Sequence, residues 1–212
     1  IYQGNFVFTA NDTLNEEPLT ISLIDSSGKT ILKKTKSLFT LMSLNNPIVA
    51  ITKGRLAHLE YGLGDDRLGG AKIAYLDSLV LLKVVGKVGS DYKIQLSPGR
   101  TAYIPEEHVN LMPEGTFQPS SLTGKMRVFG DSIFDYVNLQ LFSRLPYQSF
   151  QTTDPSCIVI DVFGATNNTN WIDQLESVKE IKKVTYEQVA DQQFRVTITL
   201  RHAQHWGHSL YY

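Results

Sequence analysis

Apolar and polar residues alternate at period two along most of this chain. Phe194, Val196, Ile198 and Leu200 alternate with Arg195, Thr197 and Thr199, the pattern of a strand with one buried face. Similar short runs, rich in β-branched and aromatic residues, occur at 6–8, 19–24, 30–34, 79–88, 92–96, 136–142 and 157–163. Turn-forming stretches separate them: 25–29 (DSSGK), 62–70 (GLGDDRLGG), 89–91 (GSD), 97–100 (SPGR) and 164–170 (GATNNTN). The pattern predicts a mainly β protein. One segment, residues 171–180, reads as helix, with Asn170 as N-cap and Trp171, Leu175 and Val178 on one face.

Two breaks divide the pattern. Residues 1–46 hold two or three strands and end at Asn45-Asn46-Pro47. Residues 113–125 are poor in apolar side chains, carry proline, glycine and serine, and read as a linker. The expected organisation is an accessory, immunoglobulin-like β segment (1–46), a β-rich segment (49–112), the linker, and a second β domain (126–212).

Composition changes this picture little. Hydrophobic residues make up 42% and charged residues 19% of 212, with a formal net charge of −1. That balance lacks the basic surplus expected of a nucleic-acid partner. The one basic concentration, residues 29–36 with four lysines, fits a strand whose lysines discourage edge pairing. No apolar run approaches the roughly 18 residues of a membrane-spanning helix. Cys157 is the single cysteine, so no disulfide can form within the chain. The chain starts with Ile and shows no signal-like n- and h-regions, so an export signal is expected to have been removed.

Residues 49–112 carry a resemblance. Ala57-His58-Leu59-Glu60-Tyr61, Asp91-Tyr92-Lys93 and the closing run from Tyr103 through Pro105 to Val109 resemble the corresponding parts of SH3 barrels, in particular the bacterial SH3b version of cell-wall proteins. His58, His108 and Tyr92 depart from the eukaryotic aromatic pattern, which argues against recognition of proline-rich peptides. The resemblance implies a small SH3-like barrel with a ligand-binding groove formed by Tyr61, Asp65, Asp66, Arg67, Tyr92, Tyr103 and His108. Residues 59–77 and the following run 80–109 are also similar to the region upstream of the catalytic domain in bacterial N-acetylmuramoyl-L-alanine amidases. Over 126–212, the runs MRVFGDSIFDYVNLQLF, CIVIDVFG and VTYEQVADQQFRVTITL resemble an AMIN domain, the β module that places such amidases on peptidoglycan.

These resemblances imply a non-catalytic targeting or regulatory region in the periplasm or cell envelope. Its partner would be peptidoglycan or its stem peptides, with a regulatory envelope protein as a further candidate. The AMIN-like domain is expected to be truncated, with the catalytic domain and its zinc ion beyond Tyr212 and no cofactor in this chain. Amidase chemistry needs two histidines and a carboxylate on zinc plus a glutamate, and no α/β pattern carrying that set is present.

The residues that could suggest otherwise have simpler readings. Cys157 begins an apolar strand and reads as a small core residue rather than a nucleophile. Asp161 lies in the same strand, where a carboxylate must reach water or be satisfied by partners; an edge or strand-end position facing water is favoured over a ligand-contacting or structural hydrogen-bond acceptor. His202, His205 and His208 tempt a metal reading. On a strand, however, positions 202 and 208 lie roughly 20 Å apart and His205 faces the other way. A strand, a turn and a strand returning from His208 is the expectation. Two other classes remain open: a zinc-dependent hydrolase using these histidines, and a protein-binding β module unrelated to the cell wall.

Overall fold

A computed structural model describes residues 18–37, 42–64 and 70–212. The chain divides into two compact units, residues 1–42 and 43–212. In the first, β1 (Pro18–Ile24) and β2 (Thr30–Ser37) form an antiparallel hairpin. Its turn is the one the sequence predicts: the Asp25 side chain accepts from the backbone N–H of Ser27 and Lys29. Gly28, at φ +84°, takes the left-handed position that other residues avoid.

The second unit begins with a seven-stranded sheet. Its strands are β3 (Met42–Thr52), β4 (His58–Glu60), β5 (Lys72–Tyr75), β6 (Leu81–Val88), β7 (Asp91–Ser97), β8 (Arg100–Pro105) and, after a 3-10 turn at Glu106–His108, β9 (Val109–Leu111). They lie in the order β5-β4-β8-β7-β6-β3-β9. The expected barrel is corrected here: the sheet is open. Closure needs a continuous ladder around the ring, but the two edge strands are only four and three residues long. β5 lies instead beside a strand of the following sheet. Alternation is strict in β6, where Leu82, Val84, Gly86 and Val88 are buried and the residues between them half-buried.

Residues 113–212 build two four-stranded sheets. β10 (Ser121–Gly130) pairs with β11 (Asp135–Leu141), and with two short strands placed further along the chain, β14 (Ala165–Thr166) and β15 (Ile172–Gln174). The second sheet runs β12 (Tyr147–Thr153), β13 (Ser156–Phe163), β17 (Gln193–Leu200) and β16 (Ile181–Ala190) in that spatial order. Residues 121–125, read from sequence as the end of a linker, form the first half of β10. The helix expected at 171–180 is replaced by β15 and a turn. Ile172 pairs in parallel with Met126, the Leu175 N–H donates to the Val128 carbonyl, and Asp135 accepts the N–H groups of Lys179, Glu180 and Ile181. Tertiary hydrogen bonds therefore override a weak helical periodicity. No returning strand forms at His208, because residues 201–212 run as irregular chain.

One hydrophobic cluster runs through this unit, from Ala50, Leu59, Leu82, Ile94 and Ile104 to Met126, Val128, Phe163, Phe194 and Ile198. Its leucine, isoleucine, valine, methionine and phenylalanine side chains each contribute roughly 1.5–3 kcal/mol on burial. Polar contacts also join its parts. The Leu81 N–H donates to the Arg144 carbonyl, Arg144 Nη1 to the Ser78 carbonyl, and Arg100 Nη2 to Gln148 Oε1 at 2.7 Å. The Tyr212 N–H reaches Asp77 Oδ2, and the Tyr212 hydroxyl donates to the Leu145 carbonyl while accepting from its N–H.

Candidate functional sites

The described residues among those expected to line one groove divide between the two faces of the sheet: Tyr92 lies on one, and Tyr103, paired with Glu60, lies on the other, where His108 packs against His58. Register pairs Tyr92 with Ile104 and Lys93 with Tyr103. Tyr92 packs against the core beside fully buried Ile104, so Tyr103 lies on the opposite face of the sheet. Tyr61 follows β4 and is 61% exposed. Asp65, Asp66 and Arg67 lie outside the described residues. His108 ends the 3-10 turn with its ring 5.0 Å from that of His58.

What surrounds His108 is a half-buried cluster of titratable groups. His58 and Glu60, two residues apart on β4, share the face that Leu59 does not use, and both are buried. His58 Nδ1 donates to the Leu56 carbonyl at 2.7 Å. Its Nε2 therefore faces the Lys72 ammonium at 3.0 Å and Glu60 Oε1 at 3.2 Å. Lys72 also lies 3.4 Å from Glu60 Oε1, and the Gly70 N–H donates to Oε2. Burial, and then the neighbouring His58, lowers the pKa of His108. Burial, and then the Glu60 and Glu106 charges, raises that of Asp91. The arrangement satisfies its own charges. Among the described residues no group of three His, Cys, Asp or Glu side chains is placed to hold a metal ion.

Asp161 and the C-terminal histidines resolve in the same way. Asp161 is fully buried on β13, which is not an edge strand, so the favoured water-facing position is corrected. Its register partner Arg195 donates to it through Nε at 2.7 Å and Nη2 at 3.0 Å, and Gln148 Nε2 donates to Oδ2. Burial alone would raise the Asp161 pKa; these hydrogen bonds outweigh it and leave it lowered. His202 binds Glu180 through both its backbone N–H and Nδ1, and His208 Nε2 meets the Ser149 hydroxyl. Each of these two histidines therefore has a partner of its own. Cys157 is buried, as a core residue should be.

A different surface, not anticipated from sequence, lies on the outer face of β10, β11 and β15. Met126 and Val128 turn inward with no exposure, so Arg127 and Phe129 turn outward. The Phe129 ring stacks on that of its register partner Tyr136, with centroids 5.0 Å apart and planes 20° apart. Phe134 meets Tyr136 edge to face at 6.2 Å, and the Arg127 guanidinium sits over Phe129 at 5.7 Å. Asp173, opposite Arg127 on β15, lies 3.5 Å from its Nε, and the exposed Asn138 flanks Arg127 on β11. The result is a continuous aromatic ridge with a charged pair at one end. The period-two pattern of MRVFG and DYVNL carries the signal, since Arg127, Phe129, Tyr136 and Asn138 are the outward positions of two paired strands.

The two four-stranded sheets of residues 113–212 define a small, β-rich, non-helical module. Residues 131–211 match the AMIN domain family. AMIN domains bind peptidoglycan and occur in envelope proteins. Comparison with curated proteins returned no match, and neither did comparison with solved structures.

Proposed function

We propose that this chain is the peptidoglycan-targeting region of a cell-wall N-acetylmuramoyl-L-alanine amidase, working in the periplasm or cell envelope. The observation that carries the reading is the AMIN match over residues 131–211. The similarity of residues 59–109 to the region preceding amidase catalytic domains supports the choice of parent. In this reading the seven-stranded sheet is a rigid support. It shares a hydrophobic cluster and several hydrogen bonds with the AMIN module, so a catalytic domain attached to the chain would be held at a fixed distance from the glycan. The zinc ion of the hydrolysis belongs to that catalytic domain. Residues 1–212 supply binding and orientation, which raise the effective concentration of enzyme at its substrate.

The test is cosedimentation of the purified chain with insoluble peptidoglycan, together with an assay for released stem peptides. Retention on the wall at moderate salt with no peptide release is the expected outcome. Peptide release abolished by a chelator would show instead that this chain is itself the hydrolase.

A further inference from the structure

We infer that the ridge formed by Phe134, Tyr136, Phe129 and Arg127 is the glycan-binding surface of this chain, and that it recognises the sugar backbone of peptidoglycan rather than its stem peptides. The inference rests on the targeting reading above and adds which surface and which chemical part of the wall are involved.

The first argument is that the apolar tip of the ridge is held out by design of the turn beneath it. Ile133 is 76% and Phe134 60% exposed, an arrangement the hydrophobic effect disfavours in an isolated turn. Yet residues 131–135 are tightly fixed. Asp131 Oδ1 accepts the N–H groups of Ile133 and Phe134, its Oδ2 accepts the Tyr136 hydroxyl, and its own N–H donates to the Phe134 carbonyl. Lys179 Nζ ties down the Ser132 carbonyl, and Asp135 binds three successive N–H groups of residues 179–181. At Gly130 an added Cβ would meet the Ser177 carbonyl oxygen at 2.5 Å, so the turn is packed with no slack. A ring already fixed in its binding position loses little conformational entropy when a ligand arrives.

The second argument is the chemistry of the surface. A sugar ring offers an apolar C–H face and a rim of hydroxyl and acetamido groups. Phe134 supplies apolar contact area. Arg127, Asp173 and Asn138 supply donors and acceptors in reach of solvent, with Arg127 and Asp173 half and just over one-third exposed. That is the mixture of aromatic surface and a few placed polar groups expected at a small-ligand site. The outer face of the other sheet is different in kind. It presents Lys183, Thr185, Glu187, Thr197 and Thr199 around the internally paired Asp161 and Arg195, and its exposed aromatic residue, Phe150, has no ring stacked on it among the described residues.

The third argument is location. Phe134, Tyr136, Asn138 and Asp173 fall inside the matched segment 131–211, the part of the chain whose family binds peptidoglycan, and Arg127 and Phe129 lie just before it on the strand that pairs with Tyr136 and Asn138.

The experiment uses the full chain and two solid phases: intact insoluble peptidoglycan, and glycan strands stripped of their stem peptides. The wild type is expected to bind both. The double variant Phe134→Ala/Arg127→Ala changes two exposed side chains and should lower affinity for both phases at least tenfold. Thr185→Ala/Thr197→Ala on the opposite sheet should bind as the wild type does. Circular dichroism checks that both variants fold. Wild-type binding to intact wall but not to stripped glycan would overturn the inference and leave the targeting reading standing. So would unchanged binding of the ridge variant. Failure of the wild type to bind either phase would overturn the targeting reading itself.

Discussion

Asp161 shows how a charge can be kept in the interior of a β-sheet. It sits in a row that runs across three strands, Gln148 to Asp161 to Arg195, and each side chain in the row satisfies the next. Removing the carboxylate strands the guanidinium and the amide. Asp161→Ala is therefore expected to cost about 2–3 kcal/mol, read as a lower urea midpoint, because hydrogen bonds to charged groups are worth that much and the orphaned partner adds to the loss. The same pairing sets an acid limit. The pKa values of Asp161 and Asp135 are lowered in the fold by hydrogen bonds that outweigh burial. Their stabilisation is complete above the ordinary carboxylate value near 3.8 and is lost as pH falls through the lowered values. His108 acts higher on the scale. Burial lowers its pKa below the ordinary 6.5, so the unfolded chain takes up a proton first and stability declines as pH drops from about 6.5. In His108→Gln that decline should be shallower in urea titrations between pH 7 and 5.

Elements were legible in the sequence to the extent that a single strand could reveal them. Strands β7 and β17 follow from alternation, β6 and β13 from short runs rich in β-branched residues between turns, and Cys157 is buried as its apolar neighbours imply. Whatever depends on a partner far along the chain was not legible. The Arg195 that neutralises Asp161 is 34 residues away. Residues 171–180 have helical spacing, yet a parallel pairing with β10 and the Asp135 carboxylate hold them extended and turned. Tyr92 and Tyr103 looked like two walls of one groove, but the register of β7 and β8 sends them to opposite faces. The ridge was hidden for a related reason: Phe129 and Tyr136 become neighbours only once β10 and β11 pair. The turn between those strands offers a direct check. Gly130→Ala should displace residues 131–135, since an added Cβ would meet the Ser177 carbonyl oxygen at 2.5 Å and, at 2.6 Å, the Asp135 carboxylate that the N–H groups of residues 179–181 hold in place. Proton–nitrogen correlation spectra should show large shifts for the Ile133 and Phe134 amides, with the amides of β16 and β17 little changed.

At the scale of the molecule, residues 43–212 behave as one body with a shared core. The C-terminal residues contribute to that unity. Tyr212 is tied to Asp77 and Leu145 at once, and burial, with the nearby Asp77 charge adding to it, pushes its pKa up to about 12. Both tryptophans, Trp171 and Trp206, lie in the AMIN-containing part, whereas Leu59, Leu82 and Ile94 report on the seven-stranded sheet. Unfolding followed by tryptophan fluorescence and by hydrogen exchange at Leu59 and Ile94 should give one midpoint, as a cooperative unit requires. Two separated midpoints would mean that the sheet does not support the AMIN module. A rigid support matters because the chain is proposed to hold an enzyme against the polymer it cuts.

The central claim is tested most directly by mixing the purified 212-residue chain with insoluble peptidoglycan and measuring what sediments at moderate ionic strength. Saturable retention on the wall, competed by soluble glycan fragments, is the expected result. A chain that stays entirely in the supernatant at low and moderate salt would contradict it.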